Sequence, residues 1–363
     1  MTIDSVTAAD PGPDTQLAED ASGRRSKKPL RSLMSFNNIG AIYVLLIQFV
    51  LFAIWIPEIF LTRATVYQVL NNNAIIGLAA LSIIIPLAAG VFDLSFAYVM
   101  SLSGVTTAYL VANFHWPLLL AIGFALLVSA FVGLINAIVV VTLRVESLIG
   151  TLATGSIVMA LINMVTNDVP ITDSVLLGSF SKLGQTQLLG GVTLPVAYLF
   201  VAVVILWFLL EHTPTGRRLY AVGFNAEAAR LAGIPVKRLQ FRSLLMSALM
   251  AGFTGIVLAS YLGSGSPTGG TPYLLPAFAA VFLGATQFKH GRFNAWGTVV
   301  AVLMLGTGIT GLALGAAPPW AADLFTGVVL IAALAYPAGN ALNVKTLVRR
   351  VAALLRRPAG GAP

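Results

Sequence analysis

The one acid in a long apolar reach is Asp93: no other charged side chain stands between Arg63 and Arg144. An ionisable group at membrane depth is by default a functional candidate. Its surroundings, Gly90-Val91-Phe92-Asp93-Leu94-Ser95, also suit a turn at Gly90 and a cap for a following helix, and both readings stand. Asn136, Thr151, Thr154 and Asn163 are polar positions inside apolar runs. They suit either of two tasks: lining a passage for a hydroxylated solute, or hydrogen bonding between helices at about 1 kcal/mol each.

Covalent chemistry finds little footing. The chain has no GxxxxGK[ST], so it offers no P-loop for ATP, and it has no HExxH or GxSxG. Without Cys there is no disulfide framework, thiolate nucleophile or Cys metal site. His115, His212 and His290 are far apart in sequence and fall at predicted span ends, which suits interfacial positions. Gly306-Thr307-Gly308-Ile309-Thr310-Gly311 matches GxGxxG, but a dinucleotide site needs a preceding strand and a βαβ unit. Here the motif stands in an uncharged stretch from Phe293 to Ala322, where small residues serve close helix packing. The residues therefore offer no catalytic set, cofactor site or metal site.

The elements that must hold these residues are membrane helices. Hydrophobic residues make up 58% of the chain and charged ones 9%, with mean hydropathy +0.90. Soluble domains carry about 25% charged residues. The fold class is all-α and polytopic. Ten spans are expected, at 39–58, 68–88, 95–113, 117–141, 147–166, 193–211, 242–262, 273–288, 294–314 and 320–337. The 273–288 segment is short and broken by Pro276, so it either spans or re-enters. With both termini cytoplasmic, 19 of the 21 basic residues lie inside, leaving Arg63 and Lys182 outside. The net charge of +8 thus reads as topology and calls for no nucleic acid.

The expected organisation has three parts. Residues 1–37 form a disordered cytoplasmic tail, 38–340 the transmembrane domain with a cytoplasmic loop at 212–241, and 341–363 a basic cytoplasmic tail. The outer segment 167–192 is either a receiving surface for an extracytoplasmic protein or a plain connection. The Gly, Ser and Pro-rich 263–276 region pairs loosely with the 86–93 break, and interrupted segments in matching halves can mark a translocation site.

One polar island interrupts the spans. Glu211 to Arg242 holds eight charged residues, six of them basic. Its centre reads as a helix of about two turns. Asn225 is the N-cap, Glu227 lies in the first turn, Gly233 takes the left-handed C′ position and Pro235 blocks continuation. So short a helix needs a surface to lie on, either its own membrane ends or a partner.

Glu227-Ala228-Ala229, with Gly233 four residues further on, resembles the EAA motif of ABC importer permeases. The surrounding TGRRLYAVGFNAEAARLAGIPVKRL resembles permeases for ribose and related sugars. Gly90 to Ser95 is similar to that family's GG-I-D-L-S-V-G signature, with Val91 for the second Gly and Phe96-Ala97 for the V-G. Asn136 and the stretch Arg144 to Leu152 resemble its N-G…R-I-P-P-F-I-A-T-L-G block. Leu283 to Thr286 and Gly291 to Thr298 resemble its V-L-G-G-T…G-S-x-x-G-T block.

The resemblance implies the membrane subunit of a bacterial ABC importer for a monosaccharide or polyol, in the plasma membrane, with no ATPase site of its own. It implies ABC ATPase subunits, an extracytoplasmic substrate-binding protein, and a homodimer or a heterodimer with a related permease. Glu227, Ala228, Ala229, Arg230, Leu231 and Gly233 are then the coupling residues. Asp93, Ser95, Asn136, Thr151, Thr154 and Asn163 are candidates for the path. A permease of the same superfamily for branched-chain amino acids, nucleosides or a signalling sugar derivative is the near alternative. A secondary transporter is the distant one.

Overall fold

The computed structural model of the chain describes residues 36–286 and 291–339. Lys289, His290 and the basic clusters expected in both tails lie outside the described residues. Each of the ten predicted segments falls on a helix. These are α1 (Phe36–Trp55), α3 (Arg63–Ala88), α4 (Phe96–Phe114), α5 (Leu118–Ala137), α6 (Ser147–Thr166), α8 (Leu194–Trp207), α11 (Val236–Leu262), α12 (Leu274–Thr286), α13 (Ala295–Leu314) and α14 (Trp320–Gly339). Six are long and apolar enough to cross a membrane: α3, α5, α6, α8, α11 and α13. Shorter helices connect them: α2 (Pro57–Phe60), α7 (Ser179–Gln185), α9 (Pro214–Phe224) and α10 (Ala226–Leu231). A small hairpin, β1 (Gln187–Leu189) with β2 (Val192–Thr193), precedes α8.

Local signals set the ends. Thr62 Oγ1 caps α3 by accepting from Thr65 N at 3.3 Å, and Pro86 stands in its last turn. Gly90, at φ +73°, then turns the chain into the extended Val91–Leu94 segment. Asn294 Oδ1 caps α13 through Gly297 N at 2.7 Å. Both α5 and α8 end in a π-helical turn, Ile138–Thr142 and Phe208–His212.

Two helices form the centre. α11 packs along α3, α4 and α5, while α3 also meets α8, α12 and α13. In the span windows of α3 and α11, 72% of residues are buried, against 28% in α5 and 22% in α8. The order inverts apolarity: the central pair is less apolar than the peripheral pair. Lipid solvates apolar side chains as well as a protein core does, so helices associate through small and polar residues that allow close approach. The glycines of the GxGxxG run do this on α13. A methyl group at Gly306 would strike Asn73 of α3, at Gly308 Phe325 of α14, and at Gly311 Phe52 of α1.

Candidate functional site

The polar island folds into two helices. Thr213 caps α9, its Oγ1 accepting from Gly216 N at 3.2 Å, and Pro214 occupies the first helical position. Asn225 then caps α10, its Oδ1 accepting from Ala228 N at 2.9 Å. At the other end Ile234 N donates to Ala229 O at 3.0 Å, and Gly233 N to Arg230 O at 3.0 Å. That pair is a Schellman closure, with Gly233 in the left-handed region at φ +78°. Both expected caps of the short helix are present.

The structure divides the six island residues between two faces. Ala229 turns inward and is 5% exposed, in the main core with Leu219, Val222 and Leu239. Leu231, at 78%, and Phe224 just before the helix, at 72%, stand outward. Ala228 is exposed, and Glu227 and Arg230 pair with each other on the surface. The Arg230 guanidinium holds the Glu227 carboxyl below its usual range. The helix thus keeps one small residue for its own seat and offers large apolar side chains away from it.

Four of the six path candidates meet in one buried cluster at the α3–α4 break. Asp93, Ser95, Asn136 and Thr151 are each 0% exposed. Ser95 Oγ donates to Asp93 Oδ1 at 2.6 Å and accepts from Asn136 Nδ2 at 2.7 Å. Thr151 Oγ1 accepts from Leu94 N at 3.0 Å, and Ser147 Oγ from Phe92 N at 3.1 Å. Val91 N still reaches Pro86 O of α3 at 2.9 Å, whereas Phe92 N and Leu94 N take their acceptors from α6. The cluster therefore ties α4, α5 and α6 together. Ser247 of α11 stands beside Asp93 but makes no hydrogen bond of good geometry to it. Thr154 bonds back to Gly150 O at 3.0 Å within α6. Asn163, near the other end of α6, is half-buried.

The capping expected of Asp93 takes a different form. Ser95 holds the cap position of α4 without a side-chain cap bond, and Asp93 reaches Ser95 N at 3.0 Å from two residues before. Glu146, in turn, is a true cap. Its carboxylate accepts from Leu148 N and Ile149 N at 3.0 Å each, and these bonds hold its carboxyl below the usual range.

A family model described as "Branched-chain amino acid transport system / permease component" matches residues 65–334, which is most of the chain. The chain belongs to this family. It is 31% identical over 328 residues to the L-arabinose ABC transporter permease protein AraH of Azospirillum brasilense, covering 90% of this chain and 93% of that one. It is 33% identical over 298 residues to the ribose import permease protein RbsC of Bacillus subtilis (82% and 92% covered). It is also 33% identical over 312 residues to the L-arabinose transport system permease protein AraH of Escherichia coli (84% and 93% covered). As a permease component with several apolar helices, it is a multi-pass protein of the bacterial inner membrane.

Packing accounts for two departures of this permease from the sugar-permease signature. Val91, in place of Gly, fills a small apolar cluster with Ala137, Val141 and Leu244. Phe96 meets Phe278 edge-on at 5.9 Å between ring centres, joining α4 to α12.

Three further features of the permease join these. The helix α9 had a signal in Thr213-Pro214, a cap followed by Pro at the first position. A latch joins α9 to the start of α13: Tyr220 Oη donates to Phe293 O at 2.5 Å, and the Arg292 guanidinium lies 4.0 Å from the Tyr220 ring centre. Burial and the nearby Glu211 carboxylate push the Tyr220 phenol up to about 12. The third feature is the run Asn71-Asn72-Asn73 in the first half of α3, three amides where a span tolerates few.

Proposed function

We propose that this permease is the membrane-spanning subunit of an ABC importer that moves a monosaccharide or related polyol. The relatives named for L-arabinose and ribose supply the solute class. The observation that carries the mechanism is α10: a helix closed at both ends that holds Leu231 outward on a seat made by Ala229. Such a helix transmits force as a rigid body. An ATPase subunit docks on it from the cytoplasm, and a loaded binding protein docks on the opposite side. The chain itself holds no ATPase site. Two permease chains form the pathway, and alternating access follows from ATP bound elsewhere. In this reading all ten helices cross, both termini are cytoplasmic, and the tails at 1–37 and 341–363 lie on that side.

The test is reconstitution of the permease with an ABC ATPase subunit and a substrate-binding protein as partners. Proteoliposomes should accumulate labelled ribose or L-arabinose on addition of ATP, and an ionophore should leave uptake intact. Uptake that follows an ion gradient with ATP held constant would show a secondary carrier instead.

A further inference from the structure

The three successive asparagines of α3 diverge by helical geometry, about 100° apart. Asn71 clamps the hairpin: its Nδ2 donates to Gly191 O at 2.8 Å, and its Oδ1 accepts from Thr193 N at 2.9 Å. Asn73 is buried against Gly306, with its Nδ2 donating to Val69 O at 2.7 Å. Both have structural work. Asn72 does not: it is exposed, and its one bond among the described residues is from Tyr261 Oη to its Oδ1, at 3.2 Å. Its Nδ2 is left free among the described residues.

Tyr261 lies in the last turn of α11, at the start of an interrupted stretch. Gly263 ends that helix, and residues 264–270 run without regular structure before α12. This stretch is held by Gly270 N donating to Ser101 Oγ at 2.9 Å and by an antiparallel bridge between Gly265 and Ile171. At membrane depth irregular backbone survives where protein buries it or where it borders water. Tyr273, just beyond it, is half-buried against the main core and lies within electrostatic reach of Tyr261. Gln185 Nε2 fixes Tyr261 from the other side through its carbonyl, at 2.9 Å. An exposed amide whose Nδ2 has no partner among the described residues would, facing lipid, carry an uncompensated desolvation cost. This patch therefore faces water.

We propose that Asn72, Tyr261 and Tyr273 form a solute-contact subsite on the outer half of the translocation path, taking an uncharged polyhydroxy solute. The subsite offers an amide donor, two phenol hydroxyls and two aromatic faces. Hydroxyls of a sugar pair with the first three, and its C–H faces stack on the rings. It has no charge of its own to demand an ionic solute. The Asp93 cluster, fully enclosed, plays no such part in this conformation. The proposal rests on the sugar-importer reading and names where the solute meets the chain.

The experiment uses the full reconstituted complex. The permease has no Cys, so Asn72→Cys, Tyr261→Cys and Tyr273→Cys each give one thiol, with Phe200→Cys on the apolar face of α8 as control. A charged, membrane-impermeant thiol reagent should modify the first three and spare the control, and labelled ribose or L-arabinose should slow modification. In parallel, Asn72→Ala and Tyr261→Phe should each raise KM for uptake by about tenfold, the effect of one lost hydrogen bond to the solute. Thiols that stay unmodified with and without ATP, together with KM within twofold of the parent (about 0.4 kcal/mol,), would overturn the subsite while ATP-driven uptake by the parent leaves the importer reading intact. If the parent complex moves neither sugar, the importer's solute class falls instead. The subsite then stands only as an aqueous lining, if the thiols react.

Discussion

A methyl group on Gly90 would sit 3.3 Å from Gly223 Cα, so the α3–α4 break and α9 meet backbone to backbone. Gly223 in turn faces the Ala88 carbonyl so closely that a methyl there would collide with it. Asn225, which opens α10, is two residues from one side of this contact, and Asp93 is three from the other. If α10 is the docking helix proposed above, its motion has a short, incompressible route to the buried cluster.

Gly223→Ala tests that route. The added carbon cannot be absorbed without moving backbone, and overpacking of this kind costs about 1–3 kcal/mol. Uptake should fall severalfold while the ATPase still co-purifies with the permease. Unchanged uptake would mean that the contact transmits nothing.

The two faces of α10 give opposite outcomes. Leu231→Ala removes an outward side chain and should weaken ATPase binding by about tenfold or more, as loss of an interface anchor does. The melting temperature of the isolated permease should not move. Ala229→Trp should instead lower that temperature, because the indole has to enter a packed seat. Gly233→Val should strain the turn by about 1 kcal/mol or more, since φ there is positive. If Leu231→Ala leaves co-purification intact, the outward face is not the docking face.

The buried tie at Asn136 has a measurable strength. Asn136→Leu removes the donor to Ser95 Oγ and should cost about 1 kcal/mol, read as a drop of a few degrees in a thermal-shift assay in detergent. Tyr220→Phe should cost a similar amount by leaving Phe293 O without its donor. A stability gain in either variant would refute the assignment of these bonds as ties.

Sidedness can be read with single thiols in the Cys-free chain. Arg230→Cys should react only from the cytoplasm, and Lys182→Cys only from outside. Reaction of position 230 in intact cells with an impermeant reagent would reverse the whole arrangement.

Much of this was legible because it is local. The spans follow from apolar runs, and α10 follows from Asn225, Gly233 and Pro235, each of which acts within a few residues. The Asp93 cluster was half legible. Residue types named Asp93, Ser95, Asn136 and Thr151, but only the packing of α4, α5 and α6 showed that the first three bond in a chain while Thr151 holds Leu94 N beside them. The inward turn of Ala229 and the Gly90–Gly223 contact join distant segments, and nothing in the local pattern reports them. Asn72 was visible as one of three amides. What separates it from Asn71 and Asn73 is their partners, Thr193 and Gly306, each more than 100 residues away.

For the proposed docking, the closed ends of α10 also bear on how a partner would meet it. Its backbone bonds are completed by Asn225 at one end and by Gly233 and Ile234 at the other, all within its own chain. A helix shaped in this way before contact loses little further freedom on docking, so association resembles a key entering a cut lock more than a strand folding onto a surface. Its encounter rate should then depend on collision and long-range charge, and vary little with the helix-forming tendency of the residues between the caps.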